Sequence, residues 1–418
     1  MATFRPGRAA MAAVGASCLV LGIVTGCGSS DDSASDAGSS AAVPSDAFPG
    51  QAASGESVKI GLINNEGGAS ISQPENREAA AAATKYVNEN FKGIAGRPIE
   101  LVECKSAEEP VSARDCANQM VEKKVGAVIV TSSGFGNIMA PIITGAKIPY
   151  VTAVTGGATE GTTDGAFVWA AGQNTSQALA NYAKERGMKS VVAYAIDVPA
   201  SINALKMVGE PAFKAAGIDF ELVPIPMGTP DATPQVSAGL SSNPDGAIVF
   251  GESTVCTAVI KSLVTLGSKA EIMTPQSCAA PEVVSGAGES AVEGMKVVSS
   301  ADTSSDSPES ALYRAVMAKY APDTATSGYA VTGYQGALGL YRAVAGLTGE
   351  VTSETITNAI RSAKDVVLPA GDGITFTCNG TALAGQPSVC SNEMIMLTMK
   401  DGQLADPVTV SVLPQDGD

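Results

Sequence analysis

From Ser57 the chain alternates two kinds of segment, and the short apolar runs constrain its fold most. VKIGLI (58–63), PIELVEC (98–104), VGAVIV (125–130) and IPYVTAV (148–154) are rich in β-branched residues and mostly apolar along their length. A strand with one wet face would alternate apolar and polar residues. A run without that alternation is covered on both faces, the condition of a parallel strand flanked by helices. Between the runs lie helix formers: ENREAAAAATKYVNEN behind Pro74, a good first helical residue, then VSARDCANQMVEKK and GNIMAPIITGA. Strand–helix alternation of this kind predicts an α/β fold with doubly wound sheets.

The pattern starts again after FVWAAGQNTSQ. SQALANYAKERG reads as a helix, and KSVVAYAI, IDFELVPI, PDGAIVF and AEIMTP as strands. EGMKVVSS carries the chain back toward helices at PESALYRAVMAKYA, GYAVTGYQGALGLYRAVAGL and SETITNAIRSA, and the tail from GDGITFTC is β-rich. In 418 residues this predicts two lobes rather than one core. Residues 57–172 with 300–372 are assigned to the first lobe, and 173–299 with 373–418 to the second.

The N-terminus has a different logic. Arg5 and Arg8 precede an apolar stretch from Met11 to Ile23, too short for a membrane-spanning helix, and Val24-Thr25-Gly26-Cys27 follows. This layout is that of a signal peptide over residues 1–26, and its last four residues match the bacterial lipobox. The expectation is a lipid on Cys27. Each buried methylene contributes about 0.8 kcal/mol, so stable anchoring needs more than one chain, such as a diacylglyceryl thioether plus an N-acyl group like palmitate. Residues 27–56 are rich in Ser, Ala, Gly and Asp and read as a disordered leash.

Composition removes several functions. The chain has no histidine. Ser-His-Asp and Cys-His catalysis and His-ligated metals are thereby excluded. Carboxylate-pair, Lys-based or Thr-based chemistry stays open, but no motif for any of them is present. There is neither a Walker loop nor a Ser-x-x-Lys in a credible setting nor a nucleophile elbow, so no catalytic residue, metal or cofactor is expected. A net charge of -16 argues against a nucleic-acid ligand, which needs clustered Lys and Arg. Once Cys18 and Cys27 are set aside, six cysteines remain as local couples: Cys104 and Cys116, Cys256 and Cys278, Cys378 and Cys390. Each couple sits within one supersecondary unit, so neighbour pairing in an oxidising compartment is the expectation. None has the C-x-x-C spacing of a zinc or redox site.

The order of segments resembles a known family. VKIGLINNEGG, then a helix ending near Asn88, Gly93, and Gly96 followed by Ile99-Glu100-Leu101, is similar to the start of the leucine/isoleucine/valine-binding type I periplasmic solute-binding proteins. YAPDTATSGYAVTGYQGALGLYRAV looks like the family's returning helix. The resemblance runs from about Ser57 to the C-terminus. It implies two Rossmann-like lobes joined by a multi-stranded hinge. It also implies a small-molecule ligand, delivery to an ABC permease, no enzymatic activity and a monomer on the outer face of the cell membrane. A sensor of the same fold is the alternative.

Ligands in open α/β sheets bind beyond the carboxyl ends of the strands. Ser132, Ser133 and Phe135 follow one strand, and Thr155 and Gly156 the next. The resemblance implies that these two loops hold the carboxylate and amine of an amino acid. Small residues and a helix N-terminus suit an anion there. Glu66, Asp197 and Glu252 follow other strands and are candidates for an ammonium. Two departures stand out: Gln276 where amino-acid binders often carry an acid, and DVPAS (197–201) in place of a Tyr-Gly pair. They fit an amide, a carboxylate without an amine, or an aromatic or other apolar solute as well. The two hydroxyl loops favour a branched-chain amino acid or related small carboxylate. Tyr329 and Tyr334 are candidates for the cleft wall, and Trp169 reads as hinge packing.

Overall fold

A computed structural model describes residues 43–68, 72–155, 157–326 and 328–414. The signal, the lipobox, Cys27 and Gly156 lie outside the described residues.

The first sheet contains β1 (Val58–Asn65), β2 (Ile99–Ser106), β3 (Val128–Val130), β4 (Tyr150–Thr152) and β5 (Ala166–Val168). Its order is β2-β1-β3-β4-β5, with every pair parallel. β1, β3, β4 and β5 are buried along nearly their whole length because both faces are covered. β2, at the sheet edge, has Glu100, Glu103 and Lys105 exposed, so the expectation of two covered faces fails for that run. Ile60, Leu62 and Ile129 pack in one cluster with Ala79, Ala83 and Ala337. Ile63, Val128 and Val130 pack in another with Ala113, Met120 and Ile143. The alanines of the helix Pro74–Asn90 serve close approach to the helix Ala330–Ala343. A Cβ on Gly333 would lie 1.8 Å from the carbonyl oxygen of Asn76, so the two backbones touch.

The second sheet contains β6 (Ser190–Ile196), β7 (Asp219–Ile225), β8 (Gly246–Phe250), β9 (Glu271–Pro275) and β10 (Lys296–Ser299). A short hairpin of β11 (Val366–Val367) and β12 (Thr375–Phe376) follows, and β13 (Glu393–Lys400) and β14 (Gln403–Ser411) complete the second sheet. The order is β14-β13-β10-β9-β8-β6-β7. The five strands β6 to β10 run parallel, and the C-terminal hairpin joins antiparallel at β10.

The chain passes between the lobes after β5, after β10 and after β12. These crossings are tied together. Val168 N–H donates to Ser388 O at 2.9 Å, and Cys390 N–H donates to Val168 O at 2.8 Å. Asp302 N–H reaches Ala370 O at 2.7 Å. Trp169 is fully buried there, stacked on Phe376 at 4.7 Å, with its indole N–H on Gly336 O at 3.3 Å. It packs the hinge.

One expectation is corrected. The leash read over residues 27–56 is fastened to the first lobe from residue 43 onward. Ala47 is buried, and its carbonyl accepts from Tyr86 Oη at 2.8 Å. Phe48 meets the Tyr86 ring edge-on at 5.3 Å. Ala53 N–H donates to Asn88 O at 2.7 Å. The composition is polar on average, but one phenylalanine and a few backbone hydrogen bonds suffice to dock it.

Candidate functional site

Both sheets direct the carboxyl ends of their parallel strands into loops that carry the polar residues. After β1, Glu66 is 2.8 Å from Arg77 Nε and 2.6 Å from Lys105 Nζ. Burial alone would raise its carboxyl. The hydrogen bonds and charges of Arg77 and Lys105 outweigh that and hold it down at about 2. Glu66 is therefore committed to two internal cations.

After β3, Ser133 is buried, and its hydroxyl donates to Glu108 Oε2 at 3.0 Å. The N–H of Gly134 donates to the other oxygen of Glu108. Ser133 Oγ also accepts from Phe135 N–H at 3.1 Å, and the Phe135 side chain packs on the first-lobe core. Glu108 follows β2 with φ 54°. Thr155, after β4, is half-buried. Just beyond it, Glu160 is buried and accepts from Tyr150 Oη and from Gly157 N–H at 3.1 Å. The Glu160 carboxyl lies where a Cβ on Gly136 would be, 2.0 Å from it. Thus the two hydroxyl loops are organised from within by Glu108 and Glu160.

In the second lobe Asp197 follows β6 and is exposed. Glu252 follows β8 and caps the helix Ser253–Thr265, accepting from Thr254 N–H at 2.6 Å and Val255 N–H at 3.1 Å. Gln276 follows β9, and its Oε1 accepts from Ser299 Oγ at 2.9 Å.

A cavity of about 670 Å³ opens beside this wall. Glu252 and Gln276 line it on one side, Glu282 and Glu289 beside them, Asp401 at the β13–β14 turn, and Tyr329 from the helix that returns to the first lobe. Tyr329 is 50% exposed, so its ring is available. Tyr334 is not. It is buried against Tyr313 at 5.0 Å and belongs to the core. Of the expected site residues, Glu252, Gln276 and Tyr329 come together at this cavity; Ser132, Ser133, Phe135, Thr155, Glu66 and Asp197 do not line it.

The three disulfides join the predicted couples, Cys104–Cys116, Cys256–Cys278 and Cys378–Cys390. The first brackets the Glu108 loop, the second fastens the Glu252 helix to the turn of Gln276, and the third closes the last crossing. The sequence reading missed Glu108, Glu282, Glu289 and Asp401. Glu108 was open to the same rule that found Ser133, since it follows a strand. The other three become wall residues only through packing of the turn 401–402 beside the helix Pro281–Ala287.

Two lobes, three crossings between them and a cavity at the strand ends define a solute receptor. The chain belongs to the periplasmic binding protein family, whose model matches residues 57–402. Members are solute receptors that work with ABC permeases outside the cytoplasm, not enzymes. No curated relative matches the sequence. Among solved structures, the leucine-binding protein LivK of Thermotoga maritima is 22% identical, with a TM-score of 0.64 over 85% of this chain and 98% of that one. The branched-chain amino acid transporter substrate-binding protein LivJ of Streptococcus pneumoniae, in complex with isoleucine, is 19% identical, with a TM-score of 0.65 over 85% and 100%. A solute-binding protein of R. palustris in complex with benzoate is 18% identical, with a TM-score of 0.63 over 87% and 98%. At these identities the likeness is one of fold.

Proposed function

We propose that this chain is a lipid-anchored extracytoplasmic receptor that takes a small solute between its lobes and hands it to an ABC permease. The observation that carries the reading is the 670 Å³ cavity at the carboxyl ends of β8 and β9, a volume within the range of small-molecule sites. Closure about the three crossings traps the solute, and the closed form is what the permease reads. The lipid on Cys27 keeps a monomeric receptor near its partner, and the Ser-, Ala- and Asp-rich sequence that follows it supplies the tether.

The resemblance implies a branched-chain amino acid or small carboxylate as solute, and neighbours holding isoleucine and benzoate support a solute of that size.

Native mass spectrometry of freshly purified protein tests the receptor reading. A small molecule should be retained and released chemically unchanged; release of a converted product sinks the reading. Cys27→Ala tests the anchor, and should leave the protein unprocessed or in the medium. A processed mutant that still sediments with membranes removes the lipid from the account.

A further inference from the structure

Asn379-Gly380 is the one Asn-Gly step in the chain, and it falls in the third crossing, inside the loop that Cys378–Cys390 closes. We propose that Asn379 is a self-modifying site: the Gly380 nitrogen closes a succinimide on its side chain, and water opens the ring to aspartate or isoaspartate. The proposal goes beyond the receptor reading and does not depend on which solute is bound.

Three features of the loop favour the step. The first is the nucleophile. Gly380 is exposed and in no helix or strand, and among the described residues nothing accepts its N–H. It has no side chain to shield that nitrogen, and at φ 80° it holds a backbone that other residues resist. The second is the electrophile. Asn379 Oδ1 accepts from Thr381 N–H at 3.0 Å and from Thr381 Oγ1 at 2.7 Å. Both donors draw charge away from Cγ. When Cγ turns tetrahedral, negative charge gathers on Oδ1, and the two donors are already in place for it. The third is access. Asn379 is exposed and lines an open polar groove of about 300 Å³ with Thr375, Thr377, Ser391 and Glu393, so water enters and ammonia leaves freely.

Other asparagines lack this combination. Asn203 and Asn358 precede alanine within the helices Pro199–Ala204 and Ser353–Ser362, where the next N–H is held in helical geometry. Asn243 precedes proline, which has no N–H to attack with.

The step balances with water as the one co-reactant. A bond forms between Gly380 N and Asn379 Cγ, and the Cγ–Nδ2 bond breaks. The proton of the Gly380 N–H passes through water to Nδ2, which departs as ammonia. Water then adds to one of the ring carbonyls. One opening yields aspartate; the other yields isoaspartate, with the main chain routed through the side chain. Either product puts a new carboxylate in the groove that Glu393 lines. Isoaspartate also lengthens the main chain within the crossing whose Cys390 N–H holds Val168.

The test incubates the purified, oxidised chain at neutral and mildly alkaline pH. Its peptides are mapped by mass spectrometry, with fragmentation that separates isoaspartate from aspartate. Position 379 should gain about 1 Da. It should convert ~10-fold or more faster than Asn203, Asn358 or Asn392, and faster at the higher pH, because the attacking nitrogen must shed its proton. Thr381→Val, at an exposed position, keeps the shape and the N–H and removes the hydroxyl. It should slow conversion ~3- to 10-fold in the folded chain, less than an enclosed oxyanion donor is worth because the loop is wet, and not at all in the reduced chain in guanidinium. If position 379 stays asparagine in the folded chain while it converts in the unfolded one, the fold protects the site and the inference is overturned. Equal rates in folded Thr381→Val and folded wild type overturn it too, since the loop then adds nothing to the dipeptide. Conversion at a similar rate at the other asparagines has the same consequence.

Discussion

Glu66 carries a charge that acts on folding rather than on ligand. Its folded-state value of about 2 lies below the ordinary 4.5. The sign follows from linkage: a depressed carboxyl stabilises fully above its unfolded value, and that stability is lost as pH falls through the folded value. Stability should therefore decline as pH drops from about 4.5 toward about 2. Lys105 is mostly exposed and screened, so Arg77 carries the larger share. Glu66→Gln should cost about 1–3 kcal/mol at pH 7, because Arg77 loses its partner. The mutant's urea midpoint should also fall less than the wild type's between pH 5 and about pH 3. Parallel pH profiles would remove Glu66 from acid stability. The sequence showed an acid after a strand, the pattern of a ligand contact. It could not show that Arg77 and Lys105 converge on it, because Arg77 comes from the helix Pro74–Asn90 and Lys105 from β2, which only the fold brings beside the end of β1. Ser133 is the same case, with Glu108 as the unseen partner.

At the scale of elements, the sequence was most legible where burial on both faces leaves a continuous apolar run. β1, β3 and β6 lie where VKIGLI, VGAVIV and KSVVAYAI placed them. The segment 43–56 was misread because docking there depends on Phe48 and Tyr86, which are distant in sequence. Loop-to-loop contacts were also invisible. Gly136 opens the helix Gly136–Gly145 and looks like an ordinary loop glycine, yet a Cβ there would lie 2.0 Å from the Glu160 carboxyl. The two first-lobe loops pack through that missing methyl. Gly136→Ala should therefore destabilise by about 1–3 kcal/mol, the usual cost of overpacking. Gly145→Ala, at the other end of the same helix with nothing within 4 Å, is the control. It should be neutral or stabilising by up to ~1 kcal/mol, since alanine favours helix. Chemical denaturation of both variants decides the matter, and equal losses would show that Glu160 moves aside freely.

The whole molecule depends on a hinge that must bend without coming apart. The first and third crossings pair at Val168 and Val389, and Trp169 and Phe376 fill the space beside them. Cys378–Cys390 closes a span of 12 residues within the third crossing, and Cys390 itself donates to Val168. That disulfide thus fixes one hinge strand against another, whereas Cys104–Cys116 constrains a loop inside one lobe. The two spans are equal in length, so the chain-entropy account assigns each a similar loss on removal, ~3 kcal/mol. Their consequences should differ in place. Cys378→Ser/Cys390→Ser should open the hinge to limited proteolysis within residues 377–392 under native conditions. Cys104→Ser/Cys116→Ser should lower the melting temperature by a similar amount and leave hinge cleavage unchanged. Cleavage sites mapped by mass spectrometry against matched thermal melts separate local hinge opening from general loss of stability. If both variants are cut in the hinge equally, the third disulfide stabilises the fold as a whole and does not hold the crossings together.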